Sequence, residues 1–311
     1  MKSIAEIFDN SKELLDSISN FIDKYIGSSL LRKCGITKVI DSVTEKTTFE
    51  YADTPLSRLI GTVKESKFLE KCVSAKLLLT DKVLVGFAAA SPYRMFKTGN
   101  FFRDYKKDTF YRFDLMPRAN WERLQLETAG NVIRDMESQT DKNHTCALIF
   151  DDSLYARTGG KGTDLCGRVF DHNDHKMRTG YRMMTGGWTN GDVFLPFSQT
   201  LLTTRDNSLM VGRDTPVDRR TIRGRRRVAA KEKGTDTVCR MVREAKKSGI
   251  PFDFVLFDTW FSNPAQLVEL KGMEVDTIAM IKKNSTKYLW TAPETGEIGK
   301  LDVKEIYSRN K

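Results

Sequence analysis

The sequence predicts a mixed α/β domain behind a mainly helical N-terminal half. Three observations carry this. Apolar residues recur at three- and four-residue spacing up to about residue 135. Short apolar runs bounded by turn residues replace them from about residue 145. Helical and strand-like segments then alternate between residues 231 and 281, which suits a mixed sheet with flanking helices.

In the first half, Ile4, Ile7 and Phe8 precede Leu14, Leu15, Ile18, Phe21, Ile22, Tyr25 and Ile26. Ser11 is a candidate cap for the second piece. Pro55, Leu56, Leu59, Ile60 and Val63 continue the helical reading, followed by Leu77–Phe87 and the Lys106–Phe113 segment. Short helices, tight polar turns and exposed cations suit a helix-turn-helix module as well as plain helical packing. The domain reading is a helical, DNA-binding region over 1–135 and a mixed α/β domain over 145–311.

In the second half, Thr145–Phe150 is an apolar run that ends in Asp151, Asp152 and Ser153. Gly180–Thr185 and Asp192–Phe197 flank Gly186-Gly187-Trp188-Thr189-Asn190-Gly191, and Asn-Gly is a strong hairpin signal. Lys231–Ser248 reads as a helix with Val238, Met241, Val242 and Ala245 on one face, ended by Gly249. Phe252–Phe257 is a buried strand ending in Asp258, Asn263–Lys271 a helix, and Asp276–Ile281 another strand.

Composition narrows the function. The 311 residues carry a formal net charge of +10 and are 40% hydrophobic, so the chain has a core to bury and a basic surface. Residues 213–247 hold thirteen Lys/Arg against five acids. Arg219, Arg220, Arg223, Arg225, Arg226 and Arg227 fall within nine positions, a density that points to phosphate. The five cysteines lie at least 20 residues apart, with no CxxC pair, and suit a reducing cytosol. With three histidines beside them, a His/Cys ligand cluster is hard to build. His172 and His175 read as a polar turn, and Trp188 as a packing anchor. Tyr155 and Arg157, just past the first aspartates, are candidate DNA contacts. The longest apolar run, Val83–Ala90, is too short to span a bilayer, so no membrane partner is expected.

Asp152 and Asp258 each close an apolar strand and each precede a small hydroxyl residue. Ligands bind at the carboxyl ends of strands in open α/β sheets. On neighbouring parallel strands these carboxylates would meet, and a bridging cation would relieve their repulsion. Mg²⁺ takes carboxylate and phosphate oxygens, and paired ions promote displacement at phosphorus.

Four blocks resemble a known family: Phe150-Asp-Asp-Ser-Leu-Tyr-Ala-Arg157, Val169-Phe-Asp-His172, Gly180–Trp188 and Val255-Leu-Phe-Asp-Thr-Trp-Phe-Ser262. They look like the core of bacterial insertion-sequence transposases of the DDE class, insertion-sequence-four type. Lys107–Arg112 and Asn120-Trp121 resemble the segment ahead of that core. The likeness covers about residues 100–290. It implies a ribonuclease H-like catalytic domain that uses Mg²⁺ or Mn²⁺ and acts as a homo-oligomer on double-stranded DNA in the bacterial cytoplasm, associated with the nucleoid. Asp152, directly before Ser153, matches the family's first acid, with Asp151 as competitor. Asp258 matches the second. The third, a later Glu in a Tyr…Arg…Glu…Lys pattern, has no match among Glu294, Glu297 and Glu305. A truncated copy is the expectation. The alternatives are a non-catalytic DNA-binding fragment that regulates a full-length transposase, and a stand-alone nuclease.

Overall fold

The computed structural model describes residues 4–50, 63–88, 105–140, 144–281 and 284–310. The chain divides into two compact units, Met1–Leu124 and Gln125–Lys311.

The first unit is helical with one addition that periodicity did not reveal. Helix α1 (Ile4–Phe21) runs through a π-helical turn (Ile22–Ile26) into α2 (Gly27–Lys33). Strands β1 (Val39–Glu50) and β2 (Val63–Val73) then pair antiparallel, before α3 (Ala75–Ala88) and α4 (Lys107–Asp114). Val63, read as helical, therefore opens a strand. The reason is legible afterwards: Val39–Glu50 is rich in Val, Ile, Thr and Phe, which favour strands. Pro55, Leu56, Leu59 and Ile60 lie outside the described residues. Ile22, Leu31, Ile36, Leu78, Phe110 and Phe113 are buried in this unit's core.

Asp41 is buried on β1 and holds the start of α4. Its Oδ1 accepts from Lys106 N (2.7 Å) and Thr109 Oγ1 (2.6 Å), which supplies the cap that Lys106 lacks. Burial pushes its carboxyl up, but these two donors and Lys71 outweigh that and hold it below the usual value. A depressed carboxyl contributes stability above its unfolded pKa and loses it as pH falls through the folded value. Asp41→Ala is expected to cost roughly 1–3 kcal/mol at neutral pH. The gap to wild type should narrow below about pH 4. Urea unfolding at both pH values checks this, and a gap independent of pH would contradict it.

The second unit opens in α5 (Trp121–Gln139), which begins just before the boundary. Its six-stranded sheet comprises β3 (Ala147–Ala156), β4 (Gly167–Asp171), β5 (Lys176–Thr189), β6 (Phe194–Leu202), β7 (Phe254–Phe257) and β8 (Asp276–Ala279). β4 and β6 follow one another along one edge of β5, and β3 takes the other edge, all antiparallel. β7 pairs parallel to β3, and β8 parallel to β7. Between β6 and β7 lie α6 (Ile222–Ala229) and α7 (Gly234–Lys247), and α8 (Pro264–Gly272) joins β7 to β8. A separate hairpin, β9 (Tyr288–Thr291) and β10 (Ile298–Leu301), precedes α9 (Val303–Arg309).

Several boundaries move. The helix read from Lys231 begins at Gly234. The strand after the Asn190-Gly191 turn starts at Phe194, and β5 runs unbroken through Gly186 and Gly187. Those glycines are packing features and not turn residues. A Cβ at Gly186 would meet the Phe150 ring at 2.8 Å, and one at Gly187 the Phe194 ring at 2.1 Å. Most importantly, β3 continues past Asp151 and Asp152 to Ala156, because β5 supplies it with partners after β7 has ended.

The core lies where α7 covers the sheet. Val238, Met241, Val242 and Ala245 are fully buried against Phe150, Met184, Trp188, Phe197, Val255 and Phe257. Trp188 is the packing anchor expected, and its Nε1 donates to Pro251 O at 2.8 Å.

Candidate active site

Asp152 and Asp258 come from neighbouring parallel strands. The last ladder pair is Phe150↔Phe257, so Asp151 and Asp258 share the next register position and Asp152 lies one step beyond. Side chains alternate across a strand, which puts Asp152 on the face of buried Phe150 and exposed Asp151 on the other.

The two aspartates have different surroundings. The Asp152 side chain is only 7% exposed and forms an ion pair with Arg182 of β5. Asp258 is exposed at the start of a turn. Its Oδ1 accepts from Thr259 N and Thr259 Oγ1, and its carbonyl accepts from Phe261 N at 3.1 Å. That turn places Trp260 and Phe261 in the wall of a pocket of about 580 Å³. Arg182, His172, Gln266 and the first residues of α7 line the same pocket. Register thus sets Asp151 level with Asp258, while the pocket joins the Asp258 turn to the Arg182 that holds Asp152.

The pocket carries unspent polar groups. Both amide atoms of Gln266 and Nε2 of His172 are buried without a hydrogen-bond partner. The His172 ring lies 4.3 Å from that of Trp260. His172 and His175 do sit in the β4–β5 turn, as their spacing suggested, and His175 adopts positive φ there. The pocket role of His172 was not legible, because Trp260 is 88 positions away.

The arginine run resolves into two groups. Thr221 caps α6 by accepting from Gly224 N at 3.0 Å, and Gly224 lets the helix close on the Asp218 carbonyl, which a Cβ would meet at 2.0 Å. Asp164 accepts from Arg223 (2.7 Å) and Arg227 (2.8 Å), and Asp214 from Arg227 (3.2 Å) and Lys231 (2.5 Å). The Arg223 hydrogen bond, then the Arg227 charge, hold the Asp164 carboxyl below its usual range, against some desolvation. Lys231 does the same for Asp214, with Arg227 in support. Arg219, Arg220, Arg225 and Arg226 are exposed, Arg220 beside Asp218. Arg157 stacks on Tyr155, 4.6 Å above its ring.

The model of the DDE superfamily endonuclease family matches residues 71–300, well over half the chain. The protein belongs to that superfamily. A search of curated proteins found no match. The DDE endonuclease match spans both aspartate strands, the arginine helix and the pocket. Members of this superfamily use divalent metal and act on DNA. Asp152, within β3, and Asp258, just past the end of β7, carry hard carboxylate oxygens, the donor type that suits such an ion.

The late acids have local settings of their own. Glu294 and Glu297 are exposed in the β9–β10 hairpin turn. Glu305 completes a capping box with Asp302 and pairs with Lys287 at 2.6 Å. Sequence reasoning missed a further group, Glu137, His144 and Cys146, whose ligand atoms lie within 4.8 Å of one another. Among the described residues, no helix is long and apolar enough to cross a membrane.

Proposed function

We propose that this chain is a DNA transposase of the insertion-sequence-four type with a ribonuclease H-like core. It would cleave element ends and join them to target DNA as a homo-oligomer. The observation that carries the reading is the parallel β3–β7 pair, with Asp152 and Asp258 just beyond its last ladder pair, within a chain of the DDE superfamily. Four antiparallel strands, β3 to β6, joined to the parallel β7 and β8, with the first aspartate on the central strand, support the ribonuclease H-like assignment.

Asp152 and Asp258 would hold Mg²⁺ or Mn²⁺. The ion would activate a hydroxyl and stabilise the leaving oxygen at phosphorus. The remaining work falls to the chain. Arg182 fixes the Asp152 carboxylate and offsets its charge while the site is empty of substrate. Lys233 and the N-termini of α7 and α8 border the pocket and attract a phosphate. Arg219, Arg220, Arg225 and Arg226 track the DNA backbone, while Arg223 and Arg227 clamp α6 through Asp164.

The test is DNA affinity measured against salt on a duplex carrying an element end. Each phosphate contact contributes about 0.9 to the slope of log K against log salt. Replacing Arg219, Arg225 and Arg226 together by Ala should lower that slope by up to about 2.7. Arg227→Ala should cost stability and leave the slope nearly unchanged. An unaltered slope in the triple variant would remove the DNA role of this helix. DNA binding without Mg²⁺-dependent cleavage would favour the regulatory fragment.

A further inference from the structure

We propose that Glu137, His144 and Cys146 form a site for one zinc-class transition-metal ion, distinct from the Asp152/Asp258 site. Glu137 lies in the last turn of α5, and His144 and Cys146 lie just ahead of β3. His144 Nε2 is 2.9 Å from Glu137 Oε1, and Cys146 Sγ is 3.9 Å from Glu137 Oε2. One carboxylate thus already draws the imidazole and the thiol together.

The donor set selects the metal. Imidazole, thiolate and carboxylate are the ligands of four-coordinate zinc, whereas Mg²⁺ and Ca²⁺ avoid sulfur. Three protein ligands leave a fourth position for water. Access suits this: Cys146 is buried, while the His144 and Glu137 side chains are 19% and 25% exposed.

The surroundings hold the ligands in place and favour a cation. Cys146 N donates to Asp253 Oδ2 at 2.7 Å, and Asp253 N donates back to Cys146 O at 2.8 Å. Asp253 also adds a negative charge that offsets a dication. Binding would form a Zn–S bond and release the thiol proton to solvent, with no change of oxidation state. The site would tie the end of α5 to the starts of β3 and β7. Asp152 and Asp258 lie beyond the other end of the β3–β7 ladder.

Cobalt(II) titration of chelator-treated protein tests the proposal. A thiolate-to-cobalt charge-transfer band should grow to one equivalent and be bleached by zinc. Cys146→Ser should abolish the band. His144→Ala, at a half-buried position that disturbs packing less, should weaken zinc at least about a hundredfold, beyond what outer-shell changes produce. Zinc should raise the melting temperature of wild type and not of His144→Ala. Asp258→Asn should keep the band. A wild-type protein without the band, or a Cys146→Ser variant with unchanged zinc stoichiometry, would overturn the site.

Discussion

Asp258→Asn and Asp152→Asn are each expected to lower Mg²⁺-dependent cleavage of an element-end duplex about a thousandfold or more. Losing a carboxylate ligand removes several kcal/mol of transition-state stabilisation. Mn²⁺ affinity measured by calorimetry should fall in parallel while DNA retardation stays near wild type; the melting temperature should hold for exposed Asp258→Asn and fall for Asp152→Asn, which leaves Arg182 without its ion pair. Asp151→Asn is the discriminating control. Asp151 is exposed on the opposite face of β3 from buried Phe150, and the pocket lies on the Asp152 side through Arg182. Asp151→Asn should therefore retain most Mn²⁺ binding. If it loses binding while Asp152→Asn keeps it, the pair that shares the metal is the one set level by register, Asp151 with Asp258.

Trp188→Ala should be among the most destabilising single changes in the second unit, by about 3–5 kcal/mol. The indole is fully buried, and it packs within the cluster that holds Phe150, Phe197 and the inner face of α7. Its Nε1 hydrogen bond to Pro251 O also fixes the approach to β7. Trp188→Phe keeps much of the volume but strands that carbonyl, so a smaller loss is expected. Urea denaturation compares the three proteins. A loss below about 1 kcal/mol for Trp188→Ala would mean that the core collapses around the cavity without penalty.

How much of this was legible in the sequence varies with the range of the interaction concerned. The strand–helix alternation of the second half, the buried face of α7 and the hairpin turn at Asn190-Gly191 follow from local periodicity and turn chemistry. These signals act over two to four residues. The aspartate blocks and the arginine run were equally plain, because each is contiguous. The β1–β2 pair was missed, since a helical neighbourhood outweighed a modest excess of β-branched residues.

Only the tertiary structure decided which charges are spent and which groups meet. Asp164 lies 59 residues before Arg223, yet it holds Arg223 and Arg227, two of the six arginines of the run, while Arg219, Arg220, Arg225 and Arg226 are exposed. Asp151 and Asp152 are adjacent in sequence and on opposite faces in space, a separation that the pleat imposes once β5 extends β3 past β7. Glu137, His144 and Cys146 looked like scattered residues until α5 returned to the start of the sheet. His172 and Trp260 met only across the sheet order β4-β5-β3-β7. The sequence by itself determined the elements and the chemistry available along each of them. Strand order and register determined the pairings, because a ladder joins residues at any separation and its partner leaves no local trace.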